Sequence, residues 1–290
     1  MKKILVTGGA GFIGSNLCRK LVENNENEVT SLDNYFTGSI ANHIDGVEYI
    51  SGETSEIKSK VKFKPDLIFH LGEYSRVEQS FADIEKVWLF NKIGTYSVLE
   101  FARESASKIV YAGSSTKFGD GGLGRSQSPY AWTKASNTEL VSNFGRWFDL
   151  PYAITYFYNA YGDNEISSGK YATLIGLYAD KMRKGEKLGV VLPGTQKRNF
   201  THVDDIVSGL VLVGENGLGD EFGIGSSQSF TVEEVAQIFG GEIEYLEQRQ
   251  GNRLAADVVT SKTESLGWCA TRSLHDYIEK LRANQWVRQW

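Results

Sequence analysis

The sequence predicts an α/β fold, a doubly wound parallel sheet with a smaller interleaved α/β domain, and three observations carry that reading. Short β-branched apolar runs alternate with longer helix-period segments from residue 2 to about 160, the pattern of βαβ units. Several runs, DLIFHL and KIVYAG among them, are continuously hydrophobic, as strands are when helices cover both faces of a parallel sheet. A glycine-dense turn joins the first strand to the first helix, and past about residue 160 the alternation loosens.

Taken in order, the expected elements are strand Lys3–Thr7, helix Phe12–Glu23, strands Val29–Asp33, Val47–Ile50 and Asp66–Leu71, and one long helix Asp83–Ser105. Strand Lys108–Gly113, helix Tyr130–Phe148 and strand Tyr152–Tyr158 complete the alternating region. Beyond it come helix Tyr171–Lys184, strand Leu188–Leu192, helix Val203–Val213 and strand Glu221–Ile224. A helix opened by SFTVEEVAQIF, with Thr231 and Glu234 at capping-box spacing, and a helix Leu274–Arg282 close the chain. The expected division gives 1–162 with 196–225 to a nucleotide-binding domain and 163–195 with 226–290 to a substrate domain. No internal repeat is present, and Gly119–Gly124 is the one glycine-dense loop outside the N-terminus.

With 290 residues the chain is long enough for about two domains at ~150 residues each. Its 41% hydrophobic and 23% charged residues are ordinary for a folded globular protein. A formal charge of −5 provides no global basic field for nucleic acid or anionic membrane. Two cysteines, Cys18 and Cys269, make no disulfide framework and no metal-spaced cluster, so a reducing cytoplasm and no metal are expected. The apolar run after MKK is too short for a signal-peptide core, and no run approaches the ~20 residues of a membrane span.

Strand KILVT runs into Gly8-Gly9-Ala10-Gly11-Phe12-Ile13-Gly14 and then a helix, with glycines at i, i+3 and i+6. The first permits a tight turn, the second lets backbone amides approach a pyrophosphate at the helix N-terminus, and the third allows close helix-to-strand packing. The second strand ends at Asp33, 19 positions after Gly14, where a carboxylate accepts a ribose 2′-hydroxyl and repels a 2′-phosphate. A Rossmann-type sheet with NAD, rather than NADP, is the expectation.

Tyr130 and Lys134 lie four residues apart at the start of a helix and share one face. A free phenol titrates near ~10, so base work near neutrality needs about 4 kcal/mol of differential stabilisation, which a neighbouring ammonium and a cationic nicotinamide can supply. Strand KIVYAG ends at Ser114-Ser115-Thr116, the sheet edge where a parallel α/β fold binds its ligand. Ser114 there can hydrogen-bond the same substrate hydroxyl as Tyr130.

These motifs resemble the extended short-chain dehydrogenase/reductase family, in its nucleotide-sugar epimerase/dehydratase branch. Besides TGGAGFIG and YAWTK, Phe69-His70-Leu71-Gly72 is similar to the family's FHLAA, Asn91 in NKIGT to its NVxGT helix, and Tyr158-Asn159-Ala160-Tyr161-Gly162 to its FNVYG. Residues 198–205 resemble RDFxxVxD, and Arg249-Gln250-Gly251-Asn252 resembles RxGD, with Asn252 departing from the pattern. The resemblance implies Ser114, Tyr130 and Lys134 as catalytic residues. It implies NAD contacts from Gly8, Gly11, Phe12, Ile13, Gly14, Asp33, Asn34, Leu71, Gly72, Asn91, Lys134 and Tyr158, with Glu53 near the adenine. It places Ser75, Thr116 and Asn159 on the substrate, Arg198 and Arg249 on its pyrophosphate, and implies a homodimer through the Asp83–Ser105 and Tyr130–Phe148 helices. Bidentate guanidinium donors suit phosphate oxygens.

The family's 4,6-dehydratases carry Asp-Glu directly after the hydroxyl residue, where this chain has Ser115 and Thr116, and the same gap removes the glutamate of its decarboxylases. A Ser/Tyr/Lys site suits 4-epimerisation of a nucleotide-diphosphate sugar, a UDP-sugar first, through a transient 4-keto intermediate. A 4-dehydrogenase or 4-ketoreductase uses the same three residues; a 4,6-dehydratase and a non-catalytic dinucleotide-binding protein rank behind it. Glu73 stands where a small residue is usual, and Glu73 with Arg76 reads either as charges at the nicotinamide pocket or as a solvated i, i+3 pair. Lys117 replaces an apolar residue, and Lys170 reads as a phosphate contact or a solvated lysine. His43, His202 and His275 show no ligand spacing, and His202 reads as structural.

Overall fold

The computed structural model describes residues 1–115, 124–247 and 258–283. In chain order the first half contains β1 (Lys2–Thr7), α1 (Phe12–Val22), β2 (Asn27–Asp33), β3 (Val47–Ser51), α2 (Ile57–Lys60), β4 (Leu67–His70), α3 (Ile84–Val87), α4 (Thr95–Ser105), β5 (Lys108–Ser114), α5 (Pro129–Phe148) and β6 (Tyr152–Phe157). The second half contains β7 (Ala160–Tyr161), α6 (Leu174–Lys184), β8 (Leu188–Val191), β9 (Lys197–Asn199), β10 (Thr201–His202), α7 (Val203–Asn216), β11 (Gly219–Ile224), β12 (Ser229–Thr231), α8 (Val232–Phe239), β13 (Ile243–Leu246), α9 (Ser261–Glu264) and α10 (Leu274–Ala283). Seven strands form one parallel sheet in the order β11-β6-β5-β4-β1-β2-β3. The order reverses between β1 and β4, and a crevice outside the strand ends opens at such a reversal.

Both faces of the sheet are covered, which explains the continuous hydrophobic runs. On one face Leu17, Cys18 and Leu21 of α1 and Ile206, Leu210 and Val213 of α7 pack on Ile4, Val6 and Phe69. On the other, Val98 and Leu99 of α4 and Val141 and Phe144 of α5 pack on Leu5, Ile68 and Ile109. A third core joins α6, α8 and α10 around Tyr178, Val235, Phe239 and Ile278. There β8 pairs in parallel with β13, a strand with no counterpart among the sequence-based elements.

The expected helix Asp83–Ser105 is interrupted. Between α3 and α4, residues Trp88–Gly94 form a π-helical segment, and within it Asn91 is fully buried. The Asn91 side-chain carbonyl accepts from Tyr74 N at 2.7 Å, and its amide donates to Tyr74 O at 3.2 Å and Thr133 Oγ1 at 3.0 Å. A wider turn fits a helix that aims a polar side chain at a neighbouring loop, the setting in which π-bulges recur. Among the described residues no helix is long and apolar enough to cross a membrane.

Candidate active site

The strand order places a cavity of ≈ 540 Å³ at the carboxyl edge of the sheet. Its cofactor end is the turn between β1 and α1. Gly8 adopts φ +78°, and a Cβ on it would lie 2.9 Å from the Gly72 backbone. At Gly14 a Cβ would lie 2.8 Å from Gly8 C and 2.9 Å from Gly9 Cα, and closer still to Gly8 O. The N-cap of α1 is Gly11, with no side-chain cap, so the first amides of the helix remain directed at the cavity as an anion site.

Asp33 closes β2 and is 6% exposed. Its Oδ2 accepts from Ala10 N at 2.9 Å and its Oδ1 from Tyr35 N at 2.8 Å. Burial pushes its carboxyl up, and the two amides oppose that rise. Each oxygen retains a second lone pair for a ribose hydroxyl. The cradle without Cβ atoms, the open helix N-terminus and this carboxylate are the donor and acceptor set that a dinucleotide requires.

The reacting end is built by β5 and α5. Ser128 caps α5, accepting from Ala131 N at 3.1 Å, and Pro129 occupies the first turn, so the start of the helix is locked. One turn later Lys134 follows Tyr130 on the same face. Tyr130 OH donates to Ser114 Oγ at 3.3 Å, joining the helix start to the strand end. Lys134 is buried and donates to the carbonyl of Ala112 and to Glu73.

Of the residues singled out from the sequence, Gly8, Gly11, Phe12, Ile13, Gly14, Asp33, Asn34, Leu71, Gly72, Ser75, Ser114, Tyr130, Lys134, Asn159 and Arg198 line this one cavity. Three others do not. Glu53 caps the turn at Thr54–Glu56 and accepts from Asn34 Nδ2 at 3.0 Å. Asn91 lies behind the wall, and Tyr158 is buried with its hydroxyl accepting from Val259 N at 3.1 Å. Thr116, Lys117, Arg249 and Asn252 lie outside the described residues.

Of the two sequence readings of Glu73 and Arg76, the solvated pair is overturned, and both residues line the cavity as the other reading expected. Residues 71–76 form no helix, so the i, i+3 rule has no purchase, and the two side chains part. Glu73, at the cavity wall, turns to Lys134, while Arg76 donates to the carbonyl of Tyr171 from Nε at 2.9 Å and Nη2 at 2.7 Å. Lys170 pairs with Asp83 at 2.8 Å and is half exposed, the solvated alternative rather than a phosphate contact. His202 caps α7, accepting from Asp204 N at 3.1 Å. His275, read as lacking ligand spacing, does cluster with Asp276 and Glu279, ligand atoms within 4.8 Å of one another and all three residues exposed.

The residues missed from sequence lie beneath the floor. His70 is fully buried, its Nδ1 2.7 Å from Thr7 Oγ1 and its Nε2 3.0 Å from Thr95 Oγ1. Thr95 gives its own proton to Glu73, which assigns the Nε2–H tautomer. Burial, aided by Lys134 and opposed by Glu73, pushes His70 down to about 4. Between that value and ~6.5 the unfolded chain binds a proton that the folded one refuses, so stability rises with pH through this window. Roughly 3 kcal/mol present above pH ~6.5 is expected to disappear progressively toward pH ~4. Denaturant melts across that range check it; a His70→Asn variant is expected to lose this part of the slope.

Comparisons with known proteins identify the family of this fold. A Methanocaldococcus jannaschii protein named "Putative UDP-glucose 4-epimerase" is 30% identical over 301 residues, covering 96% of each chain. UDP-glucuronic acid decarboxylase 3 of Arabidopsis thaliana is 30% identical over 252 residues, covering 81% of this chain and 72% of that protein. Among solved structures, the UDP-glucose 4-epimerase of Thermotoga maritima with UDP-glucose superposes with a TM-score of 0.88 at 25% identity, covering 97% of this chain and 99% of that one. Residues 4–225 match the NAD dependent epimerase/dehydratase family. The chain belongs to that family, and its cofactor is NAD.

Proposed function

We propose that this protein is a nucleotide-sugar 4-epimerase acting on a UDP-sugar through Ser114, Tyr130 and Lys134. The observation that carries the reading is the state of the carboxylates in the cavity. Among the described residues two line it, Asp33 and Glu73, and both are committed: Asp33 to backbone amides at the cofactor end, Glu73 to Lys134. Elimination of water or loss of a carboxyl at the sugar calls for an acid or base free to act beside the hydroxyl residue, and here Ser115 follows Ser114. What remains is a phenol and a serine hydroxyl converging on one point.

Tyr130 takes the proton of the sugar 4-hydroxyl, Ser114 holds the same oxygen, and Lys134 lies behind them both. NAD, when bound, supplies the hydride acceptor at C4. The 4-keto sugar would then turn its other face to the cofactor and take the hydride back at C4, while Tyr130 returns the proton to the 4-oxygen. Asn159 and Arg198, which line the same cavity, would hold the diphosphate, with 163–195 and 226–290 supplying the rest of the nucleotide site. We also assign a homodimer to the exposed aromatic face of Trp88, Leu89, Ile93, Tyr96, Trp132 and Trp147, which sedimentation of the purified protein tests.

The activity is tested by incubating the enzyme as purified with UDP-, GDP- and CDP-sugars and no added cofactor. The expected result is the C4 epimer of a UDP-sugar. Product that forms only as external NAD or NADH is consumed assigns a 4-dehydrogenase or 4-ketoreductase instead.

A further inference from the structure

We infer that Glu73 is the counter-ion of Lys134 and that, by cancelling the lysine's charge beside Tyr130, it sets the pH above which the site works; the inference rests on the role proposed for Tyr130. The two side chains are 3% and 6% exposed. Glu73 accepts four hydrogen bonds, from Lys134, from Thr95 Oγ1 at 2.5 Å, from Asn137 Nδ2 at 2.9 Å and from Tyr111 OH at 3.1 Å. A carboxylate so surrounded is built to stay ionised. Burial alone pushes its carboxyl up, but Lys134, by charge and by hydrogen bond, and Thr95 outweigh burial and hold it below its ordinary value.

The other groups around the pair do not undo this balance. From β4, His70 is neutral at working pH. From β5, Tyr111 is pushed far up by burial and by Glu73, and is neutral too. From the π-helical segment, Lys92 faces Glu73 but is bonded to Ser136 Oγ at 3.0 Å and Asn137 Oδ1 at 2.9 Å, and burial lowers it. From the loop, Arg76 faces Tyr130 and keeps its charge, although burial pushes its guanidinium down from its ordinary value. Lys134 and Arg76 are thus cations that line the cavity with Tyr130, and Glu73 is the anion paired with the first of them. The positioning residue acts through Lys134 and itself touches no reacting atom.

The test is Glu73→Gln, which removes the charge and keeps the shape, compared with Glu73→Asp, which keeps the charge. Two readouts apply: the pH profile of kcat, and the NMR titration of tyrosine labelled at Cζ, with the Tyr130 signal assigned by its absence in Tyr130→Phe. In Glu73→Gln the acidic limb and the Tyr130 titration are both expected to move down by about one pH unit or more, about tenfold in rate below the limb relative to each enzyme's plateau. Glu73→Asp is expected to keep the wild-type profile. Unmoved titration in Glu73→Gln, or an equal shift in both variants, overturns the inference. Because the NMR titration needs no substrate, a moved signal in a protein that epimerises nothing would uphold the counter-ion role and remove the proposed function. Should Glu73→Gln fail to fold, Glu73→Gln/Lys134→Met is expected to recover the fold, since the two charges leave together; a double variant that also fails overturns the pairing.

Discussion

Replacing Tyr130 by Phe is expected to cut kcat by about a thousandfold, within the ~10²–10⁴ that a positioned acid–base group contributes, while the purified protein still carries NAD. The loss follows from position. The hydroxyl is the group that α5 brings within 3.3 Å of Ser114 Oγ, and no other phenol among the described residues lines the cavity. The cost to folding is small, about 1 kcal/mol for one hydrogen bond, because the ring remains to pack against Tyr74, Val87 and Phe90. A single-turnover assay beside a cofactor measurement separates the two effects. Retained activity would remove Tyr130 from the chemistry; lost NAD would mean that the ring shapes the cofactor site.

Gly14→Ala is expected to remove cofactor binding. Its Cβ would meet Gly8 O, Gly8 C and Gly9 Cα, all backbone atoms of the turn proposed to cradle the pyrophosphate, so relief requires moving α1 away from β1. A displaced turn forfeits several amide contacts at once; a loss of about 3 kcal/mol is roughly a hundredfold in Kd. Overpacking of this kind also costs folding stability, about 1–3 kcal/mol. The measurement is the NAD content of the purified variant together with an NAD titration. Wild-type content would mean that the pyrophosphate lies elsewhere.

The cofactor end was legible because its demands are local. A turn that admits no Cβ, followed by a helix and, one strand later, a carboxylate, is written in spacing alone, and Gly8, Gly14 and Asp33 meet as that spacing predicts. The pairing of Tyr130 with Lys134 was legible for the same reason, as one helical turn. Glu73 was not. Its neighbour in sequence, Arg76, is three residues along a loop where helical spacing has no meaning, and its partners Thr95, Tyr111, Asn137 and Lys134 come from three separate elements. The π-helical turn at Trp88–Gly94 was hidden likewise, since apolar periodicity continues through it while Asn91 is drawn to a distant loop. Strand β13 was missed because its pairing partner, β8, lies more than fifty residues earlier.

The central claim is that one site carries a sugar through both directions of a redox cycle without exchanging cofactor. The direct test is to dialyse the enzyme free of loose dinucleotide and to start separate reactions from the active UDP-sugar and from its C4 epimer. The account predicts that both converge on the same mixture, with many turnovers per bound NAD. Conversion in one direction only, or product capped at one per bound dinucleotide, would contradict it.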